Sequence, residues 1–265
     1  MDATTYQDYV NILHEELVPA MGCTEPIAIA YAAAVARQTL GRPAQRMEVE
    51  ASGNIIKNVK SVFVPNTGGL RGIPAAAAAG MAAGDPALEL EVLSSIGEGE
   101  QDAIRQYLAD TPIAVKLADS PFIFDIAIRA WAGEDSALVR IVNYHTNIVR
   151  VERNGQVLKE VEAQAAAEEG LTDKSVLTVE GILEFAREAA LADVEDAVGR
   201  QVRYNTAIAQ EGLRGDYGAN IGKVLLATYG DDVKIRAKAM AAAGSDARMN
   251  GCGLPVVIVS GSGNQ

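Results

Sequence analysis

The chain has 265 residues, 49% hydrophobic and 22% charged, enough for one large domain or two small ones around a packed core. Its formal net charge of −12 works against nucleic acid and anionic lipid, yet leaves a small anionic substrate open, because a local pocket can be positive on an acidic protein. No apolar run approaches the roughly 18 residues that span a bilayer. The N-terminal "MDATTYQDYV" also lacks the basic-then-apolar order of a secretory signal, so the cytoplasm is expected.

Residues 5–18 read as an amphipathic helix: Tyr6, Tyr9, Val10, Leu13 and Leu17 share a stripe, and Pro19 stops it. A second helix starts near Thr24 and ends by Gly41. Its alanines leave room for close neighbours. The period then changes to two in "MEVEAS" (47–52), followed by a loop, "GNIIKN", and a second strand-like stretch, "KSVFVP" (60–65). The turn "PNTGGLRG" leads into a small-residue helix over 73–83. "ALELEVL" (87–93) alternates as a strand does, and a polar helix covers roughly 98–109. Residues 112–160 read as an antiparallel meander, with Asn154-Gly155 as a hairpin signal. Beyond about residue 175 the pattern is helical until an apolar run, Val256 to Val259.

Strands clustered first and helices after predict an α+β protein. An antiparallel sheet with flanking helices is expected over 1–175, followed by an all-helical segment over 176–265. The chain ends on the concentrated turn Ser260, Gly261, Ser262, Gly263, Asn264. Such a turn makes an anion nest when a helix follows it. The expectation is a longer or split polypeptide, of which this is part.

Four stretches carry candidate chemistry. In "MGCTEP", Thr24 is suited to cap the second helix, Pro26 is tolerated in its first turn, and Glu25 suits the positive end of its dipole. Cys23 then stands just outside free N–H groups, a place that favours thiolate. A structural cysteine beside a tight glycine turn reads equally well. "SGNIIKN" offers Asn54, Lys57 and Asn58 to a carboxylate. "VPNTGGLRG" offers Thr67, Gly68 and neighbouring glycines to an anion, without matching a nucleotide-binding fingerprint. Each also reads as an ordinary polar turn. Cys252 reads as buried, and His14 and His145 as structural or exposed. Two cysteines and two histidines make neither a recognisable zinc spacing nor, in a reducing compartment, an expected disulfide.

Taken in order, "MGCTEP", "SGNIIKN", "VPNTGG" and "GCGLPVVIVSGSGNQ" resemble the L-cysteine desulfidase family, related to the alpha part of iron–sulfur L-serine dehydratases. The resemblance covers essentially the whole chain. It implies a lyase that converts L-cysteine to pyruvate, ammonia and sulfide using a [4Fe-4S] cluster held by three cysteines. Cys23 maps to one ligand. The family's other two ligands lie beyond the Gly-Ser-Gly-Asn motif, and Cys252 matches neither. The chain alone is therefore expected to carry no cluster and no activity, and to need a missing segment or second chain. Asn54, Asn58, Thr24, Thr67, Gly68 and the Ser260–Asn264 turn are expected to hold the substrate. Glu25 and Lys57 are the candidates for the base. The family usually has glycine where Asn66 stands. Two other functions fit the residues: L-serine dehydration, differing only in the leaving group, and metal-free binding of a small amino acid or anion.

Overall fold

The computed structural model describes residues 1–163 and 171–259. Helix α1 (Ala3–Glu16) opens on Asp2, whose carboxylate accepts from the N–H groups of Thr4 and Thr5. The chain turns at Leu17 into strand β1 (Val18–Met21), which includes Pro19. Helix α2 (Thr24–Leu40) follows, closed by Gly41 in the left-handed conformation. Next come β2 (Arg46–Ala51), α3 (Gly53–Val59), α4 (Gly72–Ala83) and α5 (Glu98–Asp110). Five strands run on from there: β3 (Ile113–Leu117), β4 (Asp125–Ala132), β5 (Asp135–Val142), β6 (Ile148–Arg153) and β7 (Gln156–Glu160). Helices α6 (Val179–Glu188), α7 (Leu191–Arg214), α8 (Ile221–Tyr229) and α9 (Val233–Met249) lead to strand β8 (Pro255–Ile258).

The architecture is α+β, as the clustering of strands predicts. Strands β3-β2-β4-β5-β6-β7 form one sheet in that order. From β2 through β4 to β7 every pairing is antiparallel, while β3 lies parallel to β2. That parallel pair needs a crossover, and α3, α4 and α5 supply it. Helix α2 lies between α4 and the inner faces of β4 and β5, with Ile27, Ile29 and the alanines of its middle turns wholly removed from solvent. Alanine-rich surfaces allow this: a Cβ added at Gly80 of α4 would stand 1.9 Å from the Ala30 carbonyl oxygen of α2.

A second, two-stranded sheet pairs β1 with β8, from Val18 opposite Ile258 to Met21 opposite Pro255. It ties the stretch just before Cys23 to the end of the helical segment. The side chain of Asn205 on α7 bonds both the N–H and the carbonyl of Val257, so the outer edge of β8 is already occupied. Helix α1 packs on the helical segment too, with Tyr6 and Tyr9 tilted against Phe185 at 5.3 and 5.2 Å.

Several local expectations are corrected. "GNIIKN" is the helix α3 rather than a loop, because Ile55 and Val59 sit four apart and both enter the core. "KSVFVP" forms only an isolated bridge between Phe63 and Arg71. "ALELEVL" begins in a 3₁₀ turn over Pro86–Glu91, capped by Asp85, with Glu89 at φ +46°. Within that turn only Leu90 is buried, so the alternation there marks no sheet face. Thr24 is the first residue of α2 and Cys23 takes the capping position.

Candidate functional site at the mouth of helix α2

Cys23 has extended backbone angles (φ −77°, ψ 129°), and its side chain caps no N–H of the helix. Its thiol turns to the first turn instead and donates to Glu25 Oε2 at 2.8 Å. The other oxygen of Glu25 accepts from Asn58 Nδ2, on α3, at 3.4 Å. Gly22, immediately before the cysteine, has φ +53°, and its carbonyl accepts from Arg248 Nε at 2.8 Å. Arg248 is a buried guanidinium in the last turn of α9.

The glycines explain how the stretches come so close. A Cβ on Gly22 would meet Pro65 Cγ at 2.4 Å, and one on Gly253 would meet Asn66 Oδ1 at 2.3 Å. Segments 43 and 187 residues apart in sequence therefore meet at glycine positions that a side chain would fill. Asn66 stands at φ +57° and donates to the Leu93 carbonyl at 2.9 Å. Asparagine tolerates this left-handed region better than other non-glycine residues, which is how the turn closes with a side chain at this position.

The electrostatics reverse one expectation. Burial pushes the Cys23 thiol up, and the adjacent Glu25 carboxylate pushes it further, to about 12. The thiol is therefore protonated near neutral pH in the metal-free chain. One helix N-terminus faced two candidate anions, and the carboxylate, more acidic by about four pKa units in water, takes the charge. Burial opposes ionisation of Glu25, but the donors from Cys23, its own backbone N–H and Asn58 outweigh it. They hold the carboxyl below the usual carboxylate range. Burial lowers His145, with the Glu25 charge opposing the shift and the Arg248 charge adding to it. Burial likewise lowers Arg248 against the opposing pull of Cys23 and Glu25.

The remaining expected residues divide. Asn58 joins the cluster, and Thr24 is buried beside it with its hydroxyl 3.5 Å from Glu25 Oε2. Asn54 and Lys57 are exposed on α3, whose buried side carries Ile55 and Val59. Thr67 is wholly buried and donates to the Val64 carbonyl at 2.7 Å; its hydroxyl shapes the turn rather than facing a ligand. Gly68 is exposed, and its carbonyl accepts from Arg105 Nη2 at 3.3 Å. Ser260, Gly261, Ser262, Gly263 and Asn264 lie outside the described residues. Two members of the cluster escaped sequence reasoning. His145 reads from the sequence as structural or exposed and is half-buried with its ring on Phe124, and Arg248 stands one residue before the stretch "MNGCGLP". Neither has a spacing signal, since only the tertiary fold brings β5, β6 and α9 to the helix mouth.

Among the described residues, no three or more His, Cys, Asp or Glu side chains are grouped to hold a metal ion. Cys252 is buried beside the Tyr217 hydroxyl, which burial and that thiol together push up. The described residues therefore do not fit an iron–sulfur cluster by themselves: Cys23 is a single thiol, and its proton is held by its own neighbour.

A thiol, an ionised carboxylate and a buried guanidinium at one helix mouth define a chemically equipped polar site on an α+β scaffold. Residues 87–265 match the family described as serine dehydratase alpha chain, and the chain belongs to that family. It is 56% identical over 260 residues to a UPF0597 protein of Desulfitobacterium hafniense, covering 98% of this chain and 60% of that protein. A UPF0597 protein of Lachnoclostridium phytofermentans is 50% identical over 260 residues (98% and 62% covered). One of Treponema denticola is 43% identical over 274 residues (100% and 63% covered). The chain thus spans about three fifths of the length of these curated relatives. No solved structure matches it. No helix among the described residues is long and apolar enough to cross a membrane.

Proposed function

We propose that the chain is part of an iron–sulfur lyase that eliminates sulfide from L-cysteine, giving pyruvate and ammonia, with Cys23 as one cluster ligand. The observation that supports this reading is that the four stretches pack into one cluster at the mouth of α2: Asn58 meets Glu25, Pro65 meets Gly22, and Gly253 meets Asn66, with Cys23 bonded to Glu25. The remaining ligands come from outside the described residues, and the chain alone is inactive. Cys23 would hold such a cluster together with ligands from elsewhere, and the cluster would supply a Lewis-acidic iron able to polarise a substrate oxygen or sulfur. This chain's own residues do the rest. Glu25 holds the thiol proton and is positioned to accept it when the sulfur is engaged. Arg248 fixes the Gly22 carbonyl and so the angle at which the cysteine leaves the helix. Asn58 holds Glu25 from the far side. L-Serine is the second substrate reading, supported by the description of the family.

The test is anaerobic reconstitution of the full-length protein with iron and sulfide. A brown, oxygen-sensitive protein that releases sulfide from L-cysteine is expected, and Cys23→Ala should lose the iron. Full iron content in Cys23→Ala would overturn the ligand role. Pyruvate from L-serine but not L-cysteine would replace the desulfidase reading by the dehydratase one. Sulfide release by the 265-residue chain alone would overturn its assigned inactivity.

A further inference from the structure

The large sheet packs one face on α2 and turns the other outward. Alternation along β4 sends Ile126, Ile128 and Ala130 inward and Asp125, Ala127 and Arg129 outward. Register then lays one row straight across β2, β4, β5, β6 and β7: Glu50 opposite Ala127, Ala127 opposite Arg140, Arg140 opposite Arg150, and Arg150 opposite Glu160. Two arginines directly opposite each other destabilise an antiparallel pair, so a face built for solubility alone would alternate the signs. Here each guanidinium is tied back by carboxylates. Arg140 donates to Asp125 through Nε at 3.0 Å and Nη2 at 2.6 Å, and Arg150 donates to Glu152 and, through Nη1 at 2.7 Å, to Glu160. Asp125 is only 2% exposed and also accepts from the Ser120 hydroxyl. The small Ala127 leaves a cavity of about 430 Å³ among these charges, floored by Ala127 and Leu138 and bounded on one side by the loop at Asp119 and Ser120. Two of its charges are unspent among the described residues: Arg129 reaches only Glu50, at 3.8 Å, and Asp119 has no hydrogen-bond or ion-pair partner.

We propose that this cavity binds a small aliphatic α-amino acid as its zwitterion, at a site separate from Cys23. Three guanidiniums, of Arg129, Arg140 and Arg150, share the cavity with four carboxylates, of Glu50, Asp119, Asp125 and Glu152. A simple anion or cation entering it meets charges of its own sign, whereas a ligand carrying both signs is matched at each end. The α-carboxylate takes Arg129 and the N–H groups that Arg140 and Arg150 have left over, in charge-assisted bonds. The α-ammonium takes Asp119 and Glu50. The side chain lies over Ala127 and Leu138, an apolar floor that favours an aliphatic group over a polar one. The volume is within the range of small-molecule pockets. The cavity lies across the sheet from α2, so the inference stands apart from the lyase reading.

The protein carries its own reporter. Trp131, its only tryptophan, stands two residues beyond Arg129 on the same face of β4, with the Arg46 guanidinium 4.0 Å from its ring. Titration with L-valine should change Trp131 fluorescence saturably, and calorimetry on the same samples detects binding should the tryptophan stay silent. N-acetyl-L-valine, without the ammonium, and L-valinamide, without the carboxylate, should each bind about 10-fold or more weakly. Arg129→Ala should weaken L-valine to a similar degree, and Ala127→Met, which fills the floor, should abolish binding. Lys116→Ala removes a charge that pairs with Glu48 on the same face but outside the cavity, and should bind as the wild type does. Circular dichroism melts of each variant separate lost binding from lost folding. Neither heat nor a fluorescence change up to about 10 mM L-valine would overturn the proposal. So would undiminished affinity in a folded Arg129→Ala or Ala127→Met, or equal affinity for either single-charge analogue or for inorganic phosphate.

Discussion

Helix α2 presents Cys23 from its N-terminus, and the contact that fixes its distance from α4 is Gly80 against Ala30. Changing Gly80 to alanine puts a methyl carbon 1.9 Å from the Ala30 carbonyl oxygen, 2.6 Å from its carbonyl carbon and 2.7 Å from its Cα. Ordinary contact begins near 3.4 Å, so the helices must part by about 1.5 Å, the difference of those two distances. Both partners are backbone or are fixed to it, so no side chain can rotate away. Overpacking of this kind costs about 1–3 kcal/mol, and parting two alanine-lined helices also forfeits their contacts. Alanine's better helix propensity returns about 1 kcal/mol. The net expectation is a loss of about 2 kcal/mol, or roughly 4–8 °C in Tm for a chain of this size. Gly99 is the control, because it lies in α5 where an added Cβ meets nothing within 4 Å. Gly99→Ala should leave Tm unchanged or slightly raised. Thermal melts followed by circular dichroism decide it: a Gly80→Ala protein as stable as Gly99→Ala would refute the close approach of α2 and α4.

Removing the charge of Glu25 should free the thiol. In Glu25→Gln the burial that raises Cys23 remains but the carboxylate is gone, so alkylation of Cys23 by iodoacetamide at pH 8 should accelerate at least about 10-fold, one pKa unit. An unchanged rate would mean that burial alone sets the thiol. The sign also fixes an alkaline limit in the wild type. A thiol raised to about 12 contributes stability that is whole below its unfolded value near 8.5 and is lost as pH rises toward 12. Asn66→Gly should retain the turn and lose only the bond to Leu93. Asn66→Val, β-branched at φ +57°, should cost at least about 1–2 kcal/mol more in urea unfolding, and equal stabilities would contradict the left-handed assignment.

The helices were legible where a long apolar period and a stop signal coincide. Thr24–Leu40 ends on Gly41, and the small-residue helix over 73–83 matches α4 closely. The antiparallel strands were legible from β-branched alternation, and the β6–β7 hairpin from Asn154-Gly155. Short elements were not. Seven residues of α3 and the six-residue 3₁₀ turn over Pro86–Glu91 are too brief for a period to separate helix from strand. The parallel pairing of β3 with β2 was equally hidden, because a crossover partner leaves no local mark.

At the site, the amino-acid sequence by itself determined which groups are available: a cysteine and a glutamate at one helix N-terminus, and glycines where backbones must touch. Tertiary structure alone decided their protonation and company. A helix end stabilises one negative charge, and only the fold reveals that Glu25 holds it while Cys23 keeps its proton. Arg248 reaches the same place from α9, distant in sequence. Electrostatic coupling depends on separation through space, and no spacing along the chain encodes that.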